Sequence, residues 1–146
     1  PGLPAGGRVV SIASSRDGAR LLVALDTESG PRLMVAGIRR DADLVPTALL
    51  EPLEIPVGEA PILDAAWIDG VTVVVLSDGP LTSVDAYVIG GQRTNLGALS
   101  DGRVVVGGNG EDGTRVLDGA GNIMRPGSGT SWDDTGIDAA FLIDQI

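Results

Sequence analysis

The side chains with most chemistry in them lie in two stretches, Asn109-Gly110-Glu111-Asp112-Gly113 and Asp133-Asp134-Thr135-Gly136. Carboxylate and amide oxygens at that density are ligands of the kind Ca²⁺ accepts. The EF-hand spacing is missing, however, because no Glu follows at the twelfth position. Asp, Asn and Gly are also the residues that tight turns demand. The reading taken is turns, with no metal and no cofactor.

General acid–base chemistry would need two carboxylates set across a cleft. Asp64 with Asp69, or Asp133 with Asp138, could be imagined as such a pair. Closeness in sequence does not establish it, and 20 acidic residues guarantee accidental pairs. Ser14, Ser77 and Ser128 have no His to activate them and no Gly-x-Ser-x-Gly elbow. The clusters Gly107-Gly108-Asn109-Gly110 and Gly127-Ser128-Gly129 lack the Lys or helix N-terminus of a phosphate cradle, and read as loops. No catalytic residue is assigned. Trp67, behind Ala65-Ala66, reads as a core anchor at a sheet edge. Trp132, in a Gly/Ser-rich segment, reads as partly exposed and as a candidate partner contact.

The elements that would position these residues are organised around Ser14–Leu25. Apolar residues enter this stretch, Asp17-Gly18 breaks it, and Leu21 to Leu25 leave it. That is a hairpin signal, since tight hairpin turns need positive φ, which Gly tolerates. The design returns at Asp69-Gly70 before Val71–Leu76, and at Asp112-Gly113 before Thr114–Leu117. The intervals are 52 residues (17 to 69) and 43 residues (69 to 112).

Strands are expected at 9–14, 20–26, 32–39 and 47–53, then at 62–68, 71–77, 83–89 and 92–96. The last unit offers 103–107, 114–118, 123–126 and a weaker 137–143. Several runs are apolar on both parities: Leu21–Leu25, Val73–Leu76 and Val104–Val106. A half-wetted sheet alternates polar and apolar residues, so such strands call for cover on both faces. Four-stranded units of this length stacked face to face are propeller blades. The chain therefore reads as all-β, a partial β-propeller of about three four-stranded antiparallel blades, at roughly 8–55, 56–96 and 97–146. Propellers close with four to eight blades, so the chain is expected to be a fragment.

Composition agrees with many short strands. The 146 residues include 22 Gly and 9 Pro, and only 3% are aromatic, so the core must be aliphatic. The net charge of −10 argues against nucleic acid and against adsorption of the chain on anionic membranes. Every basic residue is Arg, which reads as a GC-rich genome rather than a function. Without Cys there is no disulfide framework and no thiolate chemistry. No apolar run approaches the ~20 residues of a membrane span, and no signal-peptide pattern is present.

Several segments together resemble the C-terminal propeller region of the LpqB family of actinobacterial lipoproteins. They are Val10–Arg20, Asp64–Gly70, Val88-Ile89-Gly90-Gly91, and Asp118-Gly119 followed by Ser131-Trp132. The resemblance implies a lipid-anchored precursor at the extracytoplasmic face of the cell membrane. It also implies a role beside the sensor of the MtrA–MtrB two-component system, with no catalytic motif to carry over. The expected function is thus a non-enzymatic interaction module that modulates a sensor histidine kinase through its extracytoplasmic domain. The alternative is a propeller that binds envelope carbohydrate or a small metabolite. Self-association of the fragment through open blade faces is also expected.

Overall fold

A computed structural model describes residues 6–139. It is all-β: thirteen strands form three antiparallel sheets, and no helix occurs among the described residues. The first sheet holds β1 (Arg8–Ser14), β2 (Arg20–Thr27), β3 (Gly30–Arg40), β4 (Pro46–Leu49) and β5 (Leu53–Ile55). The second holds β6 (Ile62–Trp67), β7 (Thr72–Ser77), β8 (Thr82–Val88) and β9 (Arg93–Leu99). The third holds β10 (Gly102–Gly108), β11 (Gly110–Asp118), β12 (Asn122–Pro126) and β13 (Trp132–Asp138). Each sheet is a simple up-and-down meander, with β4 and β5 sharing the outer edge of β3. Contacts between sheets concentrate at their first two strands, so the sheets fan outward from β1, β6 and β10. That is the geometry of consecutive propeller blades.

The two-sided strands explain the stacking. In β7, Val73 and Val75 point into a core shared with Leu22, Ala24, Leu33 and Val35 of the first sheet. Val74 and Leu76, on the opposite parity, point into a second core with Val105, Val116 and Trp132 of the third sheet. All four are essentially inaccessible. Removing each such side chain from water contributes about 1.5–3 kcal/mol. The middle sheet is therefore held by its neighbours on both faces.

Hairpin connections of one parity (β1–β2, β3–β4, β6–β7, β8–β9, β10–β11, β12–β13) gather at one end of the fan, the hairpin end. The β2–β3, β7–β8 and β11–β12 turns lie at the opposite end.

Three sequence expectations are corrected. Asp112-Gly113 does not make the third hairpin turn: it lies inside β11, and the chain reverses at Asn109, between Gly108 and Gly110. Gly110 takes the positive φ (80°), while neither Gly70 nor Gly113 does. The expected strand at 47–53 divides into β4, on the outer end of β3, and β5, on its Leu33–Val35 stretch; Leu50 still bonds through its N–H to the Gly37 carbonyl (2.8 Å), and the break falls at Glu51-Pro52, where proline has no N–H to offer the ladder. The final strand among the described residues is Trp132–Asp138, which ends before Ala139, rather than one running on from Ile137. Residues 140–143 of that expectation lie outside the described residues. The sequence placed it late because Asp133, Asp134, Thr135 and Gly136 read as a turn; Asp133 and Asp134 instead pair with Arg125 and Met124 of β12, while Thr135 and Gly136 fall at an irregularity of the ladder, Gly136 with φ 80°.

Candidate functional site: the cleft between the first strands

The first strands of the three sheets line a cleft of about 790 Å³, open at the hairpin end. Asp64 on β6 ties its walls together. Its Oδ1 accepts a hydrogen bond from Ser11 Oγ on β1 (2.9 Å). Its Oδ2 accepts one from the backbone N–H of Val105 on β10 (2.9 Å). One carboxylate thus serves three sheets and satisfies an edge-strand donor that would otherwise be orphaned.

Close backbone approach completes the wall. A Cβ at Gly107 would fall on the carbonyl of Trp67, so only glycine lets β10 lie against β6 there. The Gly110 N–H then donates to the Ile68 carbonyl (2.9 Å). Gly107 and Gly108, expected in a loop, are thus strand residues with a packing role. At the mouth, Arg16 from the β1–β2 turn donates through Nη1 to Asn109 Oδ1 (2.9 Å). This joins the first sheet to the third across the second.

Both tryptophans are structural. Trp67 is half-buried; its Nε1–H donates to the Ala13 carbonyl (3.0 Å), and the Arg20 guanidinium sits 5.7 Å from its ring centre. It anchors the second sheet to the first. Trp132 is not exposed, contrary to expectation. It is buried in the second core, with Nε1–H donating to the Leu96 carbonyl (2.9 Å). The sheets come together beside it because Gly97 lies so close to the Thr130 carbonyl that a side chain would collide. Its Gly/Ser-rich surroundings made it look surface-like. The signal for burial was Gly97, which could not be read without knowing that β9 and the β12–β13 turn meet.

Several of the acidic residues are spent on backbone. Asp17 accepts from Ser15 Oγ (2.6 Å) and Ala19 N–H (3.0 Å), and these bonds hold its carboxyl below the usual range, the hydroxyl being the larger cause. Asp69 accepts from Val71 N–H (2.8 Å), which likewise lowers its pKa. Asp118 accepts from Ala120 and Asn122 N–H, and Asp134 from Gly136 N–H. The imagined pair Asp64 and Asp69 is therefore a tie and a turn cap. Asp133 stands opposite Arg125, and Asp138 opposite Asn122, near the two ends of β13. Among the described residues no three of His, Cys, Asp and Glu converge as a metal site. Glu111 and Asp112 are exposed on β11, and Asn109 is committed to Arg16.

A second hollow of about 510 Å³ lies between β5, the 56–58 connection and the β8–β9 hairpin. Tyr87 forms part of its lining, and burial above all pushes its hydroxyl pKa up, with the nearby Asp85 carboxylate adding to the effect. Asp85 itself is buried, accepting from Asn95 Nδ2 (3.0 Å) with Arg93 Nε at 3.6 Å.

The family model for the lipoprotein LpqB β-propeller domain matches residues 1–137 of this chain. The chain belongs to the LpqB β-propeller family. No curated protein matches it. Membership agrees with the fanned sheets. No helix of the described LpqB residues is long and apolar enough to cross a membrane.

Proposed function

We propose that this LpqB domain is a non-enzymatic interaction module of an envelope lipoprotein, held at the extracytoplasmic face of the membrane by its parent's lipid anchor. Its partner is the extracytoplasmic part of a two-component sensor kinase of the MtrA–MtrB type, whose output it modulates. The observation that supports this most is the fate of the carboxylates. Asp17, Asp64, Asp69, Asp118 and Asp134 each accept hydrogen bonds from backbone N–H groups or tie strands together. A site built for acid–base catalysis keeps its carboxylates free to reach a substrate. What remains to recognise a partner is shape and the acidic surface, which favour electrostatically steered, salt-sensitive association.

The cleft between the first strands supports a second reading, recognition of envelope carbohydrate or a small metabolite, because sites of 300–1,000 Å³ are the usual size for such ligands. Capture of the sensor ectodomain on immobilised domain, weakening as salt rises, is the expected result. A glycan panel run beside it separates the two readings: glycan retained with no ectodomain bound overturns the first.

A further inference from the structure

The outer edges of the three sheets are protected unequally. β9 opens on exposed Arg93, Thr94 and Asn95, and β13 carries exposed Asp133 and Asp134. Charges along an edge strand keep other strands from pairing with it. β4, at the edge of the first sheet, has no charge, nor does Leu50 that follows it.

Apolar surface collects at the same place. Twelve large aliphatic residues are exposed among the described residues, and five of them, Leu44, Val45, Leu49, Leu50 and Leu53, fall within one stretch of ten. The other seven are scattered over the three sheets. Both faces of the edge take part. Leu49 stands opposite Ile38 on one face, and Leu50 lies over Gly37 on the other, where a Cβ would crowd it. The backbone is open as well. Leu50 N–H donates inward to the Gly37 carbonyl (2.8 Å), so the alternation of a strand turns the N–H and carbonyl of Leu49 outward. No strand lies beyond β4 among the described residues.

We infer that β4 pairs antiparallel with β4 of a second copy of this chain, across a two-fold axis at Leu49. With Leu49 opposite Leu49 of the second copy, Ala48 meets Leu50, Val45 meets Leu53, and Thr47 meets Glu51. Aliphatic residues thus face one another along the edge, and no two charges of one sign are opposed. Pro46 falls opposite Pro52, at a parity whose N–H groups this ladder does not use, so neither ring interrupts it. The added strand covers the leucines on both faces with cross-strand neighbours. Because each copy offers the same patch, the contact closes at two chains instead of growing into a filament. It uses the rim of the fan and stands independently of the kinase reading above.

Sedimentation of the 146-residue chain across a concentration series tests the pairing. The chain is expected to pass from monomer to dimer as concentration rises. Leu49→Lys sets like charges face to face and is expected to stay monomeric. Val106→Lys, on the open face of the third sheet, is expected to dimerise as before. Both positions are exposed, so circular dichroism should be unchanged in either variant. The chain has no Cys, so Leu49→Cys can be joined by a short bismaleimide. It is expected to yield a covalent dimer, whereas Leu81→Cys, in the β7–β8 turn, stays single. A chain monomeric throughout, a dimer that survives Leu49→Lys or is lost with Val106→Lys, or equal crosslinking at positions 49 and 81, overturns the proposal.

Discussion

The second and third sheets share one four-stranded meander, yet their valines meet different surroundings. In β7, Val73, Val74, Val75 and Leu76 are all buried, alternating between two cores. In β10, the run Val104-Val105-Val106 looks the same in sequence, but Val105 is buried and Val106 is 60% exposed. The first sheet is an intermediate case: its inner face meets the second sheet, while Val23, Leu25 and Met34 form a small separate cluster on the other face, beside an exposed Ile12. A two-sided apolar strand therefore states a demand, and a neighbouring sheet has to meet it. The second sheet has a neighbour on each side; the third has one on a single side among the described residues.

The largest break in this comparison should come at the seam between the second and third sheets. Gly107→Val would drive a side chain into the Trp67 carbonyl and part β10 from β6. A loss of roughly 3 kcal/mol or more is expected in denaturant unfolding. Next comes Asp64→Ala, which unties β6 from both neighbours and leaves the Val105 N–H without its partner. It should cost about 1–3 kcal/mol. Asp64→Asn should recover part of that, since the amide oxygen can still accept one of the two bonds.

Gly18→Val tests a turn that belongs to neither seam. Gly18 sits at φ 70°, so a loss of roughly 1–3 kcal/mol is expected from backbone strain alone. An unchanged midpoint would mean the hairpin is not as described. Smallest is the acid limb of the stability profile. Asp17, Asp69 and Glu54 all titrate below their ordinary range in the fold, held down chiefly by Ser15, by the Val71 N–H and by Arg32 respectively. Folded values below unfolded ones contribute stability that is present above the unfolded pKa and lost as pH falls through the folded one. The melting temperature should therefore be flat from about pH 8 to 5 as far as these groups matter, and decline below about pH 4. A decline that begins near neutrality would contradict that assignment.

How much of this was legible in the sequence depended on the range of the interaction. The two-parity runs carried the stacking, because burial on both faces is written into consecutive residues such as Val73 to Leu76. Asp17-Gly18 carried its hairpin for the same local reason. The third turn was misplaced because Asn109-Gly110 and Asp112-Gly113 offer equally good turn chemistry three residues apart. The roles of Asp64 and Trp132 were not legible. Asp64 acts on residues 53 positions before it and 41 after it, and Trp132 on a carbonyl 36 positions before it. Such pairings exist only once the sheets are stacked.

The stacking itself is tested most directly by placing one charge on each side of the comparison. Val74→Asp puts a carboxylate between two sheets, and Val106→Asp puts it on the open face of the third. Urea unfolding of the two variants should show Val74→Asp losing roughly 3–5 kcal/mol or failing to fold, against a loss within about 0.5 kcal/mol for Val106→Asp. Equal losses at the two positions, or a larger loss at Val106, would contradict an account in which the second sheet is covered on both faces and the third on one.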